Sequence, residues 1–163
     1  MKRAFLIILI ILLAILIPGI YFLDKQYCLC PIEYEQDIIV LRHDKMGDGS
    51  FGASRSGNRK HLGVDLLAEV GTPVRAVRSG IVLAATERRG MGKYVVIKHL
   101  GGIKTIYGHL SKIRVAKYQL VRQGQIIGDV GKTGNANYRS MLSHLHLEIR
   151  KNNSPEDPLG YLE

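Results

Sequence analysis

Cysteine is scarce: Cys28 and Cys30 are the only two in 163 residues, so no disulfide framework organises the chain. A bridge between residues two apart closes a small strained ring, which leaves two thiols or a bond to another molecule as the expected states. There is no internal repeat, and beyond the N-terminal apolar stretch no amphipathic helical periodicity. The length leaves no room for a second full domain beside one core. Acidic residues are few, 14 against 23 Lys and Arg, for a net charge of +9. All of them lie beyond the N-terminal apolar stretch, so the remainder is basic even without Lys2 and Arg3. Such a surface suits an anionic polymer. The basic residues are scattered through Gly-rich stretches, with no basic helix and no nucleic-acid-binding motif, so no nucleic-acid partner is expected.

Charge is missing altogether from Ala4 to Ile17, AFLIILIILLAILI, and Pro18 to Leu23 extend the apolar run to about twenty residues, the length that spans a bilayer core. Residues 1–23 are expected to form one membrane helix. Lys2 and Arg3 precede it and Asp24 follows it, so the positive-inside bias keeps the N-terminus in the cytoplasm. The chain is then a single-pass protein of the cytoplasmic membrane, with everything after residue 24 on the periplasmic or extracytoplasmic side. A cleaved secretory signal is the alternative, but no small-x-small site stands before Asp24. Residues 24–36, interrupted by Pro31, read as a juxtamembrane link, and residues 37–163 as one domain.

Within that domain, short runs of β-branched and apolar residues are separated by turn signals. The runs are Ile38 to Leu41, Val74 to Val77, Gly80 to Ala84, Tyr94 to Lys98, Thr105 to Tyr107, Gln125 to Val130 and Leu145 to Ile149. Gly71-Thr72-Pro73, Arg89-Gly90 and Gly101-Gly102 fall between them. The spacing predicts an all-β domain built as an antiparallel sheet or sandwich, with little helix outside the N-terminus.

Four histidines and an aspartate fall in patterns that suit a metal. In His61-Leu62-Gly63-Val64-Asp65 an extended strand puts His61, Gly63 and Asp65 on one side, the glycine leaving room for an ion, and Leu62, Val64 and Leu66 on the other. In His144-Leu145-His146-Leu147-Glu148 the polar residues share one face and the leucines the core face. Catalytic zinc takes three protein ligands and leaves a fourth position to water, a number that His61, Asp65 and His146 supply. His109, in Tyr107-Gly108-His109-Leu110, and His144 are then free to move protons or stabilise charge. One such grouping alone is weak, because strand histidines are usually structural. His43 and His99 lack such companions and read as ordinary histidines. Glu148 reads as a supporting or surface group, since a fourth protein ligand would close the position that water needs.

Ordered motifs across this region resemble the M23 metallopeptidases of the lysostaphin/LytM type: Phe51-Gly52, His61-Leu62-Gly63-Val64-Asp65, Gly71-Thr72-Pro73-Val74-Arg75-Ala76, Gly80-Ile81-Val82, Tyr107-Gly108-His109-Leu110, Gly124-Gln125-Ile126-Ile127-Gly128, Gly131-Lys132-Thr133-Gly134 and His144-Leu145-His146-Leu147-Glu148. The resemblance implies one zinc per domain on His61, Asp65 and His146, catalytic roles for His109 and His144, and peptidoglycan as substrate. In the implied chemistry His144 takes the proton of the attacking water and His109 hydrogen-bonds the oxyanion. Two departures stand out. Asn135 to Ser143, before the HxH pair, is longer than usual and is expected to border the cleft, and a tyrosine that several members carry before the first histidine is not evident. The resemblance also admits a non-enzymatic regulator of cell-wall amidases, which is expected to have a broken His/Asp set. The short tether and basic exterior favour D,D-endopeptidase cleavage of the membrane-proximal wall, with Arg139 or Lys132 pairing a stem-peptide carboxylate.

Overall fold

The computed structural model describes residues 2–21, 24, 28–35 and 38–162, with side chains left undescribed at residues 2, 3 and 15–21. Helix α1 (Lys2–Tyr21) carries the apolar run. Its described side chains, Ala4 to Ala14, are all exposed. Among the described residues no helix is long and apolar enough to cross a membrane.

The rest is antiparallel β structure. Two small hairpins come first, β1 (His43–Asp44) with β2 (Gly47–Asp48), and β3 (Ser54–Arg55) with β4 (Arg59–Lys60). Then follow β5 (Val64–Leu67), β6 (Pro73–Arg75), β7 (Gly80–Arg88), β8 (Gly92–Lys98), β9 (Ile103–Ile113), β10 (Leu120–Val121), β11 (Ile126–Val130), β12 (His144–Lys151) and β13 (Ser154–Glu156). They form one sheet in the order β10-β7-β8-β9-β11-β6, with β12 joining it along β9 and carrying β5 and β13. Outside α1, helix among the described residues is limited to 3-10 turns such as Leu100–Gly102, Gly134–Ala136 and Pro158–Gly160.

Strand alternation explains the core. Val64 and Leu66 of β5, Leu145, Leu147 and Ile149 of β12, Val95 and Ile97 of β8 and Tyr107 of β9 are fully buried. Each such side chain contributes about 1.5–3 kcal/mol on leaving water. The expected run Ile38 to Leu41 forms no strand; it touches β5 through the single bridge Leu41 to Leu66 and the hydrogen bond from Leu67 N–H to the Val40 carbonyl, 2.8 Å. Strands β7 and β9 extend well past the expected Gly80 to Ala84 and Thr105 to Tyr107.

The described part of the segment read as a juxtamembrane link packs against the β structure. Cys28 and Ile32 are buried in the core, Leu29 N–H donates to the Val77 carbonyl at 3.0 Å, and Arg75 N–H donates to the Pro31 carbonyl at 2.9 Å. Apolar residues inside QYCLCPIEY give it a buried side that the polar reading of this stretch overlooked. No disulfide joins Cys28 to Cys30. Residues 25–27, 36 and 37 of the same stretch lie outside the described residues.

Candidate metal centre

His144 and His146 reach the site by simple strand geometry. Strand β12 is hydrogen-bonded on one edge to β5, with His146 opposite Asp65, and on the other to β9, with His146 opposite Gly108. This double pairing fixes the register that puts both histidines and Glu148 on one face, all buried.

The other residues arrive by irregular routes. His61 does not lie on a strand; it follows the β3–β4 hairpin and is stapled by its N–H donating to the Ala53 carbonyl and its carbonyl accepting from Gly52 N–H, both 2.9 Å. Gly63 has a different role from the one expected, because a Cβ there would lie 2.2 Å from the Leu147 carbonyl oxygen. It permits close approach to β12 rather than space for an ion. Leu62 is 41 % exposed and borders the cleft, contrary to the strand alternation.

His109 is presented by a bulge. Between β8 and β9 the pairs Lys93–Leu110 and Val95–Tyr107 enclose one more residue on β9 than on β8, so Gly108-His109 bulges and re-aims the imidazole. His109 has φ 63°, a left-handed conformation that costs a β-carbon residue about 1–3 kcal/mol and is common where function fixes a side chain.

His61 Nε2, Asp65 Oδ1 and His146 Nδ1 converge, with separations of 3.0 Å between the nitrogens and 3.1 and 2.9 Å from each to the carboxylate oxygen. A tetrahedral zinc with bonds of about 2.0–2.1 Å places its ligand atoms about 3.3 Å apart, close to this triangle. The outward ring nitrogens carry the protons. His61 Nδ1–H donates to the Ser50 carbonyl at 2.9 Å and His146 Nε2–H to Glu148 Oε1 at 3.2 Å. With His146 neutral the three inward atoms are all acceptors facing one another; a second proton on His146 Nδ1, donated to Asp65 Oδ1 at 2.9 Å, satisfies them in the metal-free protein, and a bound cation would take that proton's place. Burial opposes charge on His146, yet its hydrogen bonds with Asp65 and Glu148 outweigh that and lift it to about 9. Burial likewise opposes charge on Asp65, and hydrogen bonds with His146 and His61 hold it well below the usual carboxylate range. The residues fit a zinc ion, and among the described residues they form the one group able to hold a metal.

His109 and His144 stand beside this triangle with ring centroids 5.1 Å apart. His109 Nδ1–H donates to the Thr133 carbonyl at 2.9 Å and His144 Nδ1–H to the Leu142 carbonyl at 2.7 Å. Backbone carbonyls only accept, so both rings keep Nε2 unprotonated when neutral. Burial, reinforced by His146 and His144, pushes His109 down to about 3, and burial lowers His144 as well. A neutral His109 cannot donate to an oxyanion; the expected contact requires that its Nε2 first take up a proton. His144 Nε2 lies 3.8 Å from Asp65 Oδ1.

Sequence reasoning missed Arg42. It is buried, and its Nη2 donates to Asp65 Oδ2 at 2.9 Å, while Arg55 Nη2 approaches the same oxygen at 3.3 Å. Alternation in Leu41-Arg42-His43-Asp44 sets Arg42 and Asp44 on one side, with His43 exposed, but nothing in the spacing ties them to an aspartate 23 residues on. His99 is buried and sits apart from this site, an ordinary structural histidine. Glu148 is also buried and braced by Arg150 Nη2 at 2.6 Å.

The site opens into a cleft of about 930 Å³ bordered by Asn135, Tyr138 and Met141 of the long loop, by Arg55, Arg59 and Lys60, and by Arg88 and Arg89. Its carboxylates, Asp65 and Glu148, are already ion-paired, so the free charge it presents is positive. Arg139 and Lys132 do not border it.

Residues 59–158 match the profile of Peptidase family M23. The chain is 43 % identical over 102 residues to the DD-carboxypeptidase/endopeptidase Mpg of Neisseria meningitidis serogroup B, covering 63 % of this chain and 23 % of that protein. It is 35 % identical over 114 residues to the murein hydrolase activator NlpD of Salmonella typhimurium, covering 69 % of this chain and 28 % of that one. The chain thus spans about a quarter of the length of these curated relatives. The fold superimposes on the catalytic domain of the antimicrobial peptidase lysostaphin from Staphylococcus simulans with a TM-score of 0.58 at 32 % identity, covering 73 % of this chain and 90 % of that one. The matched stretch contains His61, Asp65, His109, His144 and His146, the five residues whose geometry is described above, and the chain belongs to peptidase family M23.

Proposed function

We propose that this chain is a zinc endopeptidase that hydrolyses peptide bonds in peptidoglycan cross-links or stem peptides, tethered by α1 to the outer face of the cytoplasmic membrane. The observation that carries the reading is the convergence of His61 Nε2, Asp65 Oδ1 and His146 Nδ1 within about 3 Å of one another, the outward ring nitrogens being committed elsewhere, beside two histidines that each keep a bare Nε2. When bound, zinc supplies Lewis-acid polarisation of a peptide carbonyl and a more acidic water. His61 Nε2, Asp65 Oδ1 and His146 Nδ1 would hold it. His144 Nε2 accepts the proton of the attacking water, and the Asp65 carboxylate 3.8 Å away stabilises the imidazolium that results. The proton held by His144 passes to the leaving amine, while His109, which enters neutral, would take the water's second proton from the new hydroxyl at its Nε2 and share it with the developing oxyanion. The basic cleft suits the carboxylates of stem peptides and disfavours an uncharged glycine bridge.

Similarity to NlpD supports a second reading, a non-enzymatic activator of murein hydrolases. Digestion of purified peptidoglycan by the detergent-solubilised chain, with fragments identified by mass spectrometry, separates the two. Conversion of cross-linked dimers to monomers, abolished by a chelator and restored by zinc, is expected. Intact dimers with a zinc-loaded chain that instead stimulates an added amidase would favour the activator, while cleavage of pentaglycine alone would reassign the bond. Membrane tethering is supported by the uncharged run Ala4 to Ile17 and by the exposed apolar side chains of α1. Protease added to intact spheroplasts is expected to digest the catalytic domain; a protected domain would overturn the topology.

A further inference from the structure

Arg42 and Asp44 close a ring of contacts around the site. Arg42 Nη2 donates to Asp65 Oδ2 at 2.9 Å, the oxygen that does not face His61 and His146, and its Nη1 donates to Asp44 Oδ1 at 2.7 Å. Asp44 Oδ2 accepts the Leu142 N–H at 2.8 Å across 98 residues of sequence. The Leu142 carbonyl accepts His144 Nδ1–H at 2.7 Å, and His144 Nε2 returns to within 3.8 Å of Asp65 Oδ1.

Packing keeps the ring rigid. Arg42 is 2 % exposed, and its backbone N–H donates to the Asp65 carbonyl at 2.8 Å. Gly49 N–H donates to the Arg42 carbonyl and Asp65 N–H to the Gly49 carbonyl, both 2.8 Å. A Cβ at Gly49 would lie 2.8 Å from the Arg42 carbonyl oxygen and 2.9 Å from Asp65 Cβ, so only glycine allows this approach. Two oxygens of one carboxylate thus face different ways, one to the triangle and one to a fixed guanidinium, which favours Asp65 acting through a single oxygen. Leu142 belongs to the long loop before β12; Asp44 holds its N–H, and its carbonyl, on the next peptide group, sets the tautomer of His144.

We propose that Arg42 and Asp44 are positioning residues, Arg42 orienting the ligand carboxylate of Asp65 and Asp44 orienting the base His144 by fixing the backbone of Leu142, whose N–H it accepts and whose carbonyl holds the ring. The inference rests on the reading of the site as a zinc centre with His144 as base, and its test separates the two. Asp44→Asn keeps the size of the side chain but turns one oxygen into an N–H donor facing either Leu142 N–H or Arg42. Arg42→Lys keeps the charge but cannot reach Asp65 and Asp44 together.

The experiment uses the detergent-solubilised full chain with three readouts: zinc affinity by chelator competition, the tautomer of His144 from imidazole ¹⁵N shifts in metal-free protein, and kcat and KM on cross-linked muropeptides. Asp44→Asn is expected to give a mixture of His144 tautomers and a kcat lower by about 10–100-fold, with KM and zinc affinity nearly unchanged. Arg42→Lys is expected to weaken zinc by about 10–100-fold. A single Nδ1–H tautomer with normal kcat in Asp44→Asn, or unchanged zinc affinity in Arg42→Lys, overturns the proposal. Should wild type bind no zinc, the metal reading fails, and the His144 tautomer in Asp44→Asn still decides the Asp44 arm. Should Arg42→Lys not fold, the isosteric Asp44→Asn carries the test.

Discussion

Two buried groups of histidine lie in this domain, and they differ in where the second ring nitrogen goes. His99 Nδ1–H donates to the Ser79 carbonyl at 3.0 Å, and its Nε2 lies 2.7 Å from Thr105 Oγ1. Thr105 is 3.1 Å from the Tyr107 hydroxyl, which accepts the Val77 N–H at 3.0 Å. The two hydroxyls bring protons that rotate to suit, so this network closes on itself without a cation. In the cleft the same residue type is as deeply buried, yet His61 Nε2, His146 Nδ1 and Asp65 Oδ1 face one another with the outward protons already committed. Burial and residue identity do not distinguish a structural histidine from a ligand; the partner of the far nitrogen does.

The comparison breaks most severely at the ligands. His146→Ala is expected to lose bound zinc and reduce hydrolysis to background, because it removes one of three protein ligands, whereas a variant at His99 is expected to retain both. Zinc analysis and a muropeptide assay on the two proteins side by side check this. Next in size, His109→Ala and His144→Ala are each expected to cost about 10²–10³ in turnover while zinc stays bound. Near-normal turnover in either variant removes that residue from the mechanism. The pair acts as a unit, so the double variant is expected to fall short of the product of the two.

Gly63→Ala probes the junction between the two routes into the site. Its methyl group would meet the Leu147 backbone oxygen, so the folded state is expected to lose about 1–3 kcal/mol, read from denaturant midpoints. Melting unchanged from wild type would mean the strands part freely there. The smallest effect belongs to His99→Gln, about 1 kcal/mol for a lost buried hydrogen bond. Burial lowers the His99 pKa, opposed by the hydrogen bond to the Ser79 carbonyl and, more weakly, by Asp24, while Arg78 adds to it. The unfolded chain therefore takes up a proton that the folded one resists, and stability is lost as pH falls below the ordinary imidazole range. The variant should show a shallower loss on acidification than wild type, and parallel pH profiles would clear His99 of that role.

Residues that work by strand alternation were legible in the sequence. His144-Leu145-His146-Leu147-Glu148 alternates as a two-sided strand, and β12 has that form, with the leucines fully buried. Asp65, in a strand opposite His146, followed the same rule. His61 and His109 were legible as residues but not as geometry, because one sits on a stapled loop and the other on a bulge with φ 63°, conformations decided by tertiary contacts rather than by local pattern. Arg42 and Asp44 gave no signal, since a buried arginine is recognisable only once its carboxylate partners are seen in space. The short hairpins β1–β2 and β3–β4 lack the apolar runs that mark strands, and the Cys28 to Ile32 segment concealed its core side chains in a stretch that reads as polar.

The most direct test is a zinc titration of the metal-free full chain, followed through imidazole ¹⁵N signals assigned by histidine variants. One equivalent of zinc is expected to saturate the protein, shifting Nε2 of His61 and Nδ1 of His146 while leaving the signals of His43 and His99 in place. Absence of saturable binding, or a shift carried by His43 or His99 with His61 and His146 unmoved, would contradict the account.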